Sequence, residues 1–584
     1  MQLIKKYKNL MVFLLLLIIT IPSFISIANG QYFSMHDDQH VVRLYLLDKA
    51  ISQGQLFPRW VGGLGYGYGY PLFNFYPPLI YYVAELFHLI SFSLFLSIKL
   101  TFILGFILAA LGAYLLAKNL VGRLPALLAA VLYTYFSYHA VNAYVRGALA
   151  EFFGMAVIPF VFLSLESLFK NKNKLSIVFF AITFCMLMLT HPLVSFPTLF
   201  YIVFLGIFYL LISKDTKQRL LFFINSLKAG LLGLGLSVFF WLPSFIEKKF
   251  TLVDDILTKE LANYKLHYIF PSQFWYSPWG FGGSTPSRFD GMSFQLGKIY
   301  IFLFILSVIV SLLLIILRRA EKLKYFFFFV FLSIFSLFMT TDYSSFIWDK
   351  VKYLWYLQFP WRFLAFAGLF ISLCGSYSVF FIAKLFKSNL SKIVSVLLFI
   401  FISLSTIFLY KKYFKPQKQF ATNDKILTSF DEVSWRISKS SFEFVPKGVA
   451  TKKTKLNTST LAIEKKDLPL VSFELLSGQG NIKIVKDDFV KKEYEIDIQS
   501  SATMKLNTYY FPGWKAYLNG KELTINNDNK LKLITVNLPS NSKGELKFVF
   551  QNTPIRTFAN LISFLSLLIL GYYLLAYKVK KLKA

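Results

Sequence analysis

Cysteine and histidine are scarce in this chain. It has two cysteines, Cys185 and Cys374, and six histidines among 584 residues. Both cysteines lie inside apolar runs, so the sequence offers neither a disulfide framework nor a Cys-x-x-Cys metal motif. So few histidines also argue against a dedicated multi-histidine zinc cage.

Acidic residues are also few, with 30 Asp and Glu against 62 Lys and Arg, a formal net charge of +32. In a soluble protein this excess would suggest nucleic acid as a partner. However, 56% of the residues are hydrophobic and the mean hydropathy is +0.55, whereas soluble chains average about 45–50% apolar residues. Membrane proteins carry Lys and Arg in their cytoplasmic loops, which also suits anionic lipid or lipid phosphate. We therefore predict a membrane protein and no nucleic-acid partner.

Apolar runs long enough to cross a hydrocarbon core of about 30 Å recur along the chain. The first run, Leu10–Ile27, follows basic residues and could be a signal peptide, but its length and the further runs favour an uncleaved first helix. We predict about twelve spans and two cytoplasmic termini. The predicted spans are 9–28, 97–117, 124–138, 151–169, 175–190, 193–213, 220–242, 298–317, 324–340, 361–383, 391–410 and 558–577.

The apolar stretch Pro77–Phe95 decides the orientation of every later loop. Counted as a span, it would place Lys118 and Arg123 outside the cell. Counted as a helix lying on the membrane surface, it places every basic short loop inside, as the positive-inside rule requires. Glu85 and His88 agree with a surface position, where polar groups cost less than at the bilayer centre. The basic loops include Lys118, Arg123, Lys170, Lys172, Lys174, Lys214, Lys217, Arg219, Arg318, Arg319, Lys322, Lys324, Lys384, Lys387, Lys392 and Lys578 to Lys583.

This orientation divides the chain into a polytopic membrane domain (1–411), an extracytoplasmic β-rich domain (412–556) and a last span with a basic cytoplasmic tail (557–584). Within the first domain, 29–96 and 244–297 are the large outer loops. In the second, Tyr494–Ile498, Lys532–Leu538 and Glu545–Phe550 alternate apolar and polar residues, as half-buried strands do. Asn519-Gly520 predicts a hairpin turn. We therefore expect residues 412–556 to form a β-sandwich-like domain outside the cell. We expect the whole protein to lie in the plasma membrane.

The first outer loop carries two adjacent carboxylates, Asp37 and Asp38, bracketed by His36 and His40 and followed by Arg43. One aspartate could act as general base on an acceptor group while the other orients it. The Asp and His side chains Asp37, Asp38 and His36 could instead bind a divalent metal. A third interpretation is purely structural, with Asp37 as the N-cap of a helix from Gln39 to Gln53.

Seven residues are candidates for substrate or phosphate binding, beginning with His40 and Arg43 beside the acidic pair. Arg59 follows in the same loop, and Arg146 with Glu151 occupies the short second outer loop, where Glu151 could equally serve the helix dipole. Trp279 lies in a Trp- and Gly-rich segment that could form a sugar platform or an interfacial anchor. Arg362 starts a span, where a guanidinium suits phosphate but could also extend to lipid headgroups.

These motifs resemble a bacterial family of membrane proteins called 6-pyruvoyl-tetrahydropterin synthase related. The resemblance covers about residues 30–380. A pterin synthase is a soluble zinc enzyme, and this sequence has neither that fold nor its histidines, so the name implies no pterin chemistry here. The motifs that carry the resemblance are His36-Asp37-Asp38 with His40 and Arg43, Phe57-Pro-Arg-Trp60, Tyr70-Pro-Leu-Phe73, Tyr76-Pro-Pro-Leu79, Tyr144-Val-Arg-Gly-Ala148 with Glu151, and Gln358-Phe-Pro-Trp-Arg362.

More distantly the layout is similar to the GT-C glycosyltransferases, with an acidic motif after the first span and a Pro-Pro-Leu-Ile-Tyr-Tyr word at 77–82. The word Tyr509-Tyr-Phe-Pro-Gly-Trp514 resembles the β-rich end of YfhO-like membrane proteins. The GT-C resemblance implies a sugar donor on polyprenyl phosphate, Asp37 or Asp38 as base, and Arg146 or Arg362 at the phosphate. The acceptor would be an extracytoplasmic glycan, lipid or protein. The first outer loop has adjacent Asp37 and Asp38 where the superfamily has an Asp-x-Asp motif, so the resemblance leaves open whether the enzyme uses a divalent metal.

The residues and the resemblance together favour a transmembrane glycosyltransferase. Two alternatives remain open at this level. A lipid or polysaccharide transporter would place ionisable residues deep in several spans, and a non-catalytic scaffold would only display the β ectodomain.

Overall fold

The computed structural model describes residues 2–171, 173–318, 322–386, 388–454 and 458–582. The basic-loop residues Lys172, Arg319, Lys387 and Lys583 lie outside these described residues. The first part of the chain is almost entirely helical, and the strands are concentrated near its end.

Ten described helices are long and apolar enough to cross a membrane, or eleven if one bent pair counts as a span. The predicted span 124–138 is Arg123–Tyr135, which continues after a 44° bend as Ser137–Arg146. The predicted span 175–190 is Lys174–Thr190, whose 17 residues rise only about 25 Å. The chain is thus a polytopic helical membrane protein, as predicted. The long helices are Gln2–Phe24, Leu94–Val121, Arg123–Tyr135, Leu149–Asn171, Lys174–Thr190, Pro192–Ile212, Thr216–Glu247, Lys298–Ile316, Leu323–Thr340, Leu364–Lys384, Ser388–Tyr410 and Pro554–Leu582.

Local sequence explains several helix ends. Ser93 caps the helix Leu94–Val121 by accepting a hydrogen bond from the backbone N–H of Leu96. Gly122 follows that helix with φ of 85°, a conformation that glycine adopts without strain, and the next helix begins directly after it. Asn173 caps the helix Lys174–Thr190 through Ser176, and Pro192 opens the next one. Short turns therefore connect neighbouring helices in antiparallel order.

The apolar stretch Pro77–Phe95, which we predicted to lie on the membrane surface rather than to span the membrane, contains the helix Leu79–Leu89. This helix has 11 residues and is about 16 Å long, too short to cross a bilayer. Within the protein Glu85 is buried, because this residue is 2% exposed and neither carboxylate oxygen has a hydrogen-bond partner among the described residues. The other short helices are His40–Ser52, Leu72–Phe75, Ser137–Ala140, Val253–Leu257, Pro271–Trp275, Ser345–Lys350, Asp424–Leu427 and Ser438–Ser440.

Two antiparallel sheets form the β region. One has three strands and the other five. Phe473 of the smaller sheet meets Tyr494 of the larger one, with ring centroids 5.3 Å apart, so apolar side chains fill the space between the sheets. Asn519 and Gly520 connect two paired strands, and both have positive φ, which confirms the hairpin turn. The strands are Phe473–Ser477, Ala502–Tyr509 and Leu533–Leu538, and Gly480–Asp487, Lys491–Ile498, Trp514–Leu518, Lys521–Leu523 and Ser542–Phe550.

The loops between spans and the β region contact one another on one face of the helical bundle. The strand Tyr32–Phe33 pairs with Gln419–Phe420, and Thr251 forms a β-bridge with Pro446. Trp60 of the first loop packs edge-on against Trp514, with ring centroids 5.6 Å apart. We call this side of the bundle the β face. The remaining short strands are Val61–Gly63, Gly67–Tyr70, Thr451–Lys453 and Ser459–Leu461.

The burial of Glu85 predicts a pH-dependent penalty on stability. Burial, and then the nearby Asp48, raise the pKa of Glu85 above its ordinary value of 4.5. Ionisation therefore costs folding free energy at neutral pH, and the cost disappears as the pH falls below 4.5. We expect Glu85→Gln to raise the melting temperature of the purified protein at pH 7.5, with a gain that shrinks towards pH 4.5. Glu495→Gln, on an exposed strand position, is the control. A lower melting temperature for Glu85→Gln at pH 7.5 would contradict this account.

Candidate functional site

The acidic pair lies on the β face just before the helix His40–Ser52. The backbone N–H of Asp37 donates to the carbonyl oxygen of Arg146 at 2.8 Å, and that of His36 donates to Val145 at 3.2 Å. These bonds fix the Asp37 backbone against the second outer loop. The N-cap position of the helix is Gln39, and no side chain caps it. The interpretation of Asp37 as an N-cap is therefore wrong.

The two aspartates have different surroundings. The side chain of Asp37 is exposed, and its carboxylate makes no hydrogen bond or ion pair within the described ranges. Asp38 instead forms an ion pair of 2.5 Å with Arg436, which also donates to Glu432 at 2.7 Å. Burial raises the pKa of Asp38, although Arg436 opposes the shift. Asp37 is thus the carboxylate that remains available to a substrate.

The histidines are occupied by other groups. His36 Nε2 lies 2.8 Å from the carbonyl oxygen of Phe281. His40 is buried, with Nδ1 3.0 Å from the Tyr81 hydroxyl and Nε2 2.6 Å from the Gly147 carbonyl, and burial lowers its pKa to about 4. Neutral His40 therefore holds the first loop against the second. His36 and Asp38 thus already have partners, and no group of three metal-ligating side chains occurs in the described ranges.

Arg43 is buried on the helix His40–Ser52, which follows the acidic pair. Its guanidinium stacks over the Tyr76 ring at 3.9 Å and donates to the Ser441 hydroxyl at 3.0 Å. Glu443 lies within electrostatic range, and partial burial raises the pKa of that carboxyl. Asp37 is in electrostatic range of both Tyr76 and Glu443. Arg43 and Asp37 therefore belong to one polar neighbourhood that includes residues of the C-terminal region.

Glu151 is the centre of a second cluster, at the start of the helix Leu149–Asn171. Its Oε2 accepts from Arg146 Nη1 at 2.8 Å and from Arg362 Nε at 3.0 Å. Its Oε1 accepts from the Tyr138 hydroxyl and, at 3.4 Å, from Asn142. The side chains of both arginines are 9% exposed, and that of Glu151 is 1% exposed. Two guanidiniums around one carboxylate leave one positive charge in excess.

The arginines of this cluster are held in place by their own segments. Arg146 stacks over the Trp361 ring, with its guanidinium carbon 4.6 Å from the centroid. Arg362 Nη1 donates to the Leu357 carbonyl at 2.6 Å and to Gln358 at 3.3 Å. Arg146 also interacts electrostatically with Asp37. The acidic loop and the Glu151 cluster are therefore neighbours on the β face.

Trp279 and Arg59 occupy different places. Trp279 is half-buried and stacks with Tyr413 at 4.7 Å between centroids, and it neighbours Phe281, whose carbonyl contacts His36. It therefore borders the acidic loop. Arg59 contacts none of the Glu151 cluster in the described ranges. It donates to Asn74 at 2.9 Å, near Glu247 and the last helix.

Several residues of the site have no signal in the sequence. Ser441, Glu443 and Arg436 lie about 400 positions from the loop that they contact and sit in no recognisable motif. In the sequence they are only polar residues between the last two predicted spans. Their place in the site is not visible there, because only folding brings them to the first outer loop.

The buried cluster predicts a large stability cost for removing Glu151. Glu151→Gln keeps the side-chain shape but leaves Arg146 and Arg362 without a carboxylate, which costs about 3–5 kcal/mol for a buried pair. We expect a clear fall in the melting temperature of the purified protein. Glu166→Gln is the matched control, because Glu166 is equally buried but its partner Lys170 is 43% exposed and can turn to water. Equal losses in the two variants would contradict the cluster's role.

Comparison with solved structures finds similarity to membrane glycosyl-transferring proteins. The chain aligns with the arabinofuranosyltransferase AftD from Mycobacteria at 11% identity and a TM-score of 0.44, covering 70% of this chain and 27% of that one. It also aligns with the oligosaccharyltransferase AglB from Archaeoglobus fulgidus, in complex with an inhibitory peptide and dolichol phosphate, at 14% identity and a TM-score of 0.36, covering 70% and 56%.

Sequence comparison gives the family. An uncharacterised protein of Lactococcus lactis subsp. cremoris (strain MG1363) is 24% identical over 246 residues, 41% of this chain, so the chain spans about 40% of that relative's length. Residues 73–414, more than half of the chain, match the 6-pyruvoyl-tetrahydropterin synthase related domain, described as a membrane protein. The resemblance inferred from the motifs is confirmed, and the chain belongs to the 6-pyruvoyl-tetrahydropterin synthase related family of membrane proteins.

Proposed function

We propose that this protein is an integral-membrane glycosyltransferase of GT-C type, which moves a sugar from a polyprenyl-phosphate donor to an extracytoplasmic acceptor. The main support is the position of Asp37. Its carboxylate is exposed and unpaired within the described ranges, its backbone is fixed by the Arg146 carbonyl, and the Glu151 cluster with its excess positive charge lies beside it. An available base next to a cationic site at the membrane is what sugar transfer from a lipid phosphate requires.

In the proposed reaction, Asp37 accepts the proton of an acceptor hydroxyl. The hydroxyl oxygen then forms a bond to the anomeric carbon, while the bond from that carbon to the phosphate oxygen breaks. The electron pair of the broken bond stays on the polyprenyl phosphate, whose negative charge increases. Arg146 and Arg362 would stabilise that charge, because guanidiniums bind phosphate oxygens through charge-assisted hydrogen bonds. The step needs no oxidant or reductant.

The remaining candidate residues receive supporting roles. His40 would position the acidic loop, since both its nitrogens join the first loop to Tyr81 and Gly147. Arg43 would contribute positive potential below Asp37. Trp279 would present an aromatic face to the sugar, and Asp38 would orient the loop through Arg436. The β face would then be the outer side of the plasma membrane, which agrees with the distribution of basic loops.

The similar solved structures agree in kind with this proposal, since both are named for glycosyl transfer. Their TM-scores are below 0.5, so support comes from the site and from the sequence resemblance instead. The lipid-linked donor also accounts for a polytopic chain, because the reactive phosphate stays at the membrane surface.

Asp37→Asn should abolish transfer if Asp37 is the general base. General-base catalysis contributes about 10²- to 10⁴-fold, so we expect at least a hundredfold loss, and a smaller loss for Asp38→Asn. The measurement is incorporation of sugar into surface glycans by cells that depend on the plasmid-borne protein, with expression matched by immunoblot. Asp342→Asn, an exposed aspartate before the helix Ser345–Lys350, is the matched control. If sugar incorporation is unchanged in both Asp37→Asn and Asp38→Asn, the two aspartates are not the catalytic residues.

A further inference from the structure

A second feature of the β face lies apart from the acidic loop. It is a cavity of about 680 Å³, between the middle of the first outer loop, the helix Thr216–Glu247, the end of the last strand and the last helix Pro554–Leu582. Its volume falls within the range of about 300–1,000 Å³ that is typical of ligand pockets. Neither the aspartates nor any member of the Glu151 cluster lines it. It is therefore a separate place on the molecule.

The polar end of the cavity contains Arg59. This guanidinium donates to the Asn74 side chain at 2.9 Å, the Phe239 carbonyl at 2.7 Å and the Asn560 side chain at 3.1 Å. All three acceptors are neutral, and no carboxylate pairs with Arg59 in the part of the chain that the structure describes. Burial lowers its pKa to about 10, so it remains charged at neutral pH.

The nearby carboxylate of Glu247 does not balance that charge. Its Oε2 forms an ion pair of 3.0 Å with the fully buried Arg556 and accepts from Asn74 at 2.8 Å. Its Oε1 accepts from Thr553 at 2.7 Å. One carboxylate thus faces two guanidiniums, and Arg59 is left in excess. A half-buried and unbalanced positive charge favours an anion in the cavity.

A further donor at this end lacks a partner. The Nε2 atom of Gln55, which lines the cavity, is buried and makes no hydrogen bond within the described ranges. Buried donors are nearly always satisfied in proteins. An acceptor-rich group in the cavity would satisfy Gln55 and neutralise Arg59 together.

The other end of the cavity is apolar and lies along the helix Pro554–Leu582, which contains a candidate membrane span. Along the last helix, Asn560 lies about 9 Å and Leu567 about 20 Å from Pro554, at a rise of about 1.5 Å per residue. Phe564 is 58% exposed and Leu567 is 56% exposed. Leu56 and Phe57, which also line the cavity, are 70% and 71% exposed. Such side chains on a membrane helix and beside it would meet lipid tails, so polarity falls along the cavity from surface to interior.

We propose that this cavity binds a membrane lipid, with an anionic phosphate group at Arg59 and Gln55 and an acyl or isoprenoid chain along Phe564 and Leu567. A cationic end at the surface and an apolar end in the bilayer match the two halves of such a molecule. The bound lipid would also contact Gln551 and Asn552 after the last strand. It would thereby join the β region to the last helix. This binding requires no sugar transfer.

Native mass spectrometry of the purified, delipidated full chain tests the proposal. The probes are dioleoyl phosphatidylglycerol, dioleoyl phosphatidylcholine and inorganic phosphate. We expect retention of phosphatidylglycerol, weaker retention of phosphatidylcholine, whose cation offsets its phosphate, and none of inorganic phosphate. Arg59→Gln keeps polar contacts but removes the charge, and it should weaken phosphatidylglycerol retention by about tenfold. Leu236→Trp, which adds volume to the lining, should do the same.

The matched control is Arg288→Gln, which removes an exposed arginine elsewhere on the β face and should leave retention unchanged. Thermal unfolding of each variant separates lost binding from lost folding, and Leu236→Trp retains the test if Arg59→Gln does not fold. Retention of phosphatidylglycerol that is equal in wild type, Arg59→Gln and Leu236→Trp would overturn the proposal. So would equal retention of the two lipids, or tight binding of inorganic phosphate alone.

Discussion

The ion pairs of Glu151 hold together the part of the protein on which the candidate site depends. This carboxylate lies at the start of one membrane helix, and its partners are Arg146 of the short loop just before that helix and Arg362, which is 211 positions away. In a medium of low polarity each unpaired charge would cost several kcal/mol, so the three segments can only be buried as a group. The position of Asp37 follows from this constraint, because its backbone N–H bonds to the carbonyl of Arg146.

A second carboxylate, Glu247, performs the same task at the other end of the β face. It joins the helix Thr216–Glu247 to Arg556 of the last helix and, through Asn74, to Arg59 of the first outer loop. Both clusters lie at ends of long helices, where the chain leaves the apolar layer. Each contains two guanidiniums for one carboxylate. Each cluster therefore carries one more positive charge than its carboxylate can balance.

The sequence was sufficient for features that depend on neighbouring residues. Apolar runs predicted the spans, since each run must satisfy its own backbone hydrogen bonds in lipid. Asn519-Gly520 predicted its hairpin, because both positions need positive φ. The sequence could also suggest the ion pair between Arg146 and Glu151, because these residues are only five positions apart.

Features that depend on distant residues could not be predicted. Asp37 and Asp38 look alike in the sequence, yet only Asp38 meets Arg436, 398 positions away. The burial of Glu85 was missed because hydropathy cannot tell a membrane surface from a protein interior. Arg59 was grouped with the acidic loop because both lie in one outer segment, whereas its contacts are with the helix Thr216–Glu247 and the last helix.

One rigid element separates the two polar places on the β face. Asp37 lies just before the helix His40–Ser52 and Arg59 lies after it, and 13 residues span about 20 Å. Near its start, His40 contacts the second outer loop, and just beyond its end Gln53 accepts from the backbone of Phe489 in the β region. A phosphate at Arg146 and a phosphate at Arg59 would therefore belong to two different molecules. Under the function and the lipid site proposed above, the first phosphate would belong to the sugar donor, and the second to a lipid that joins the β region to the last helix.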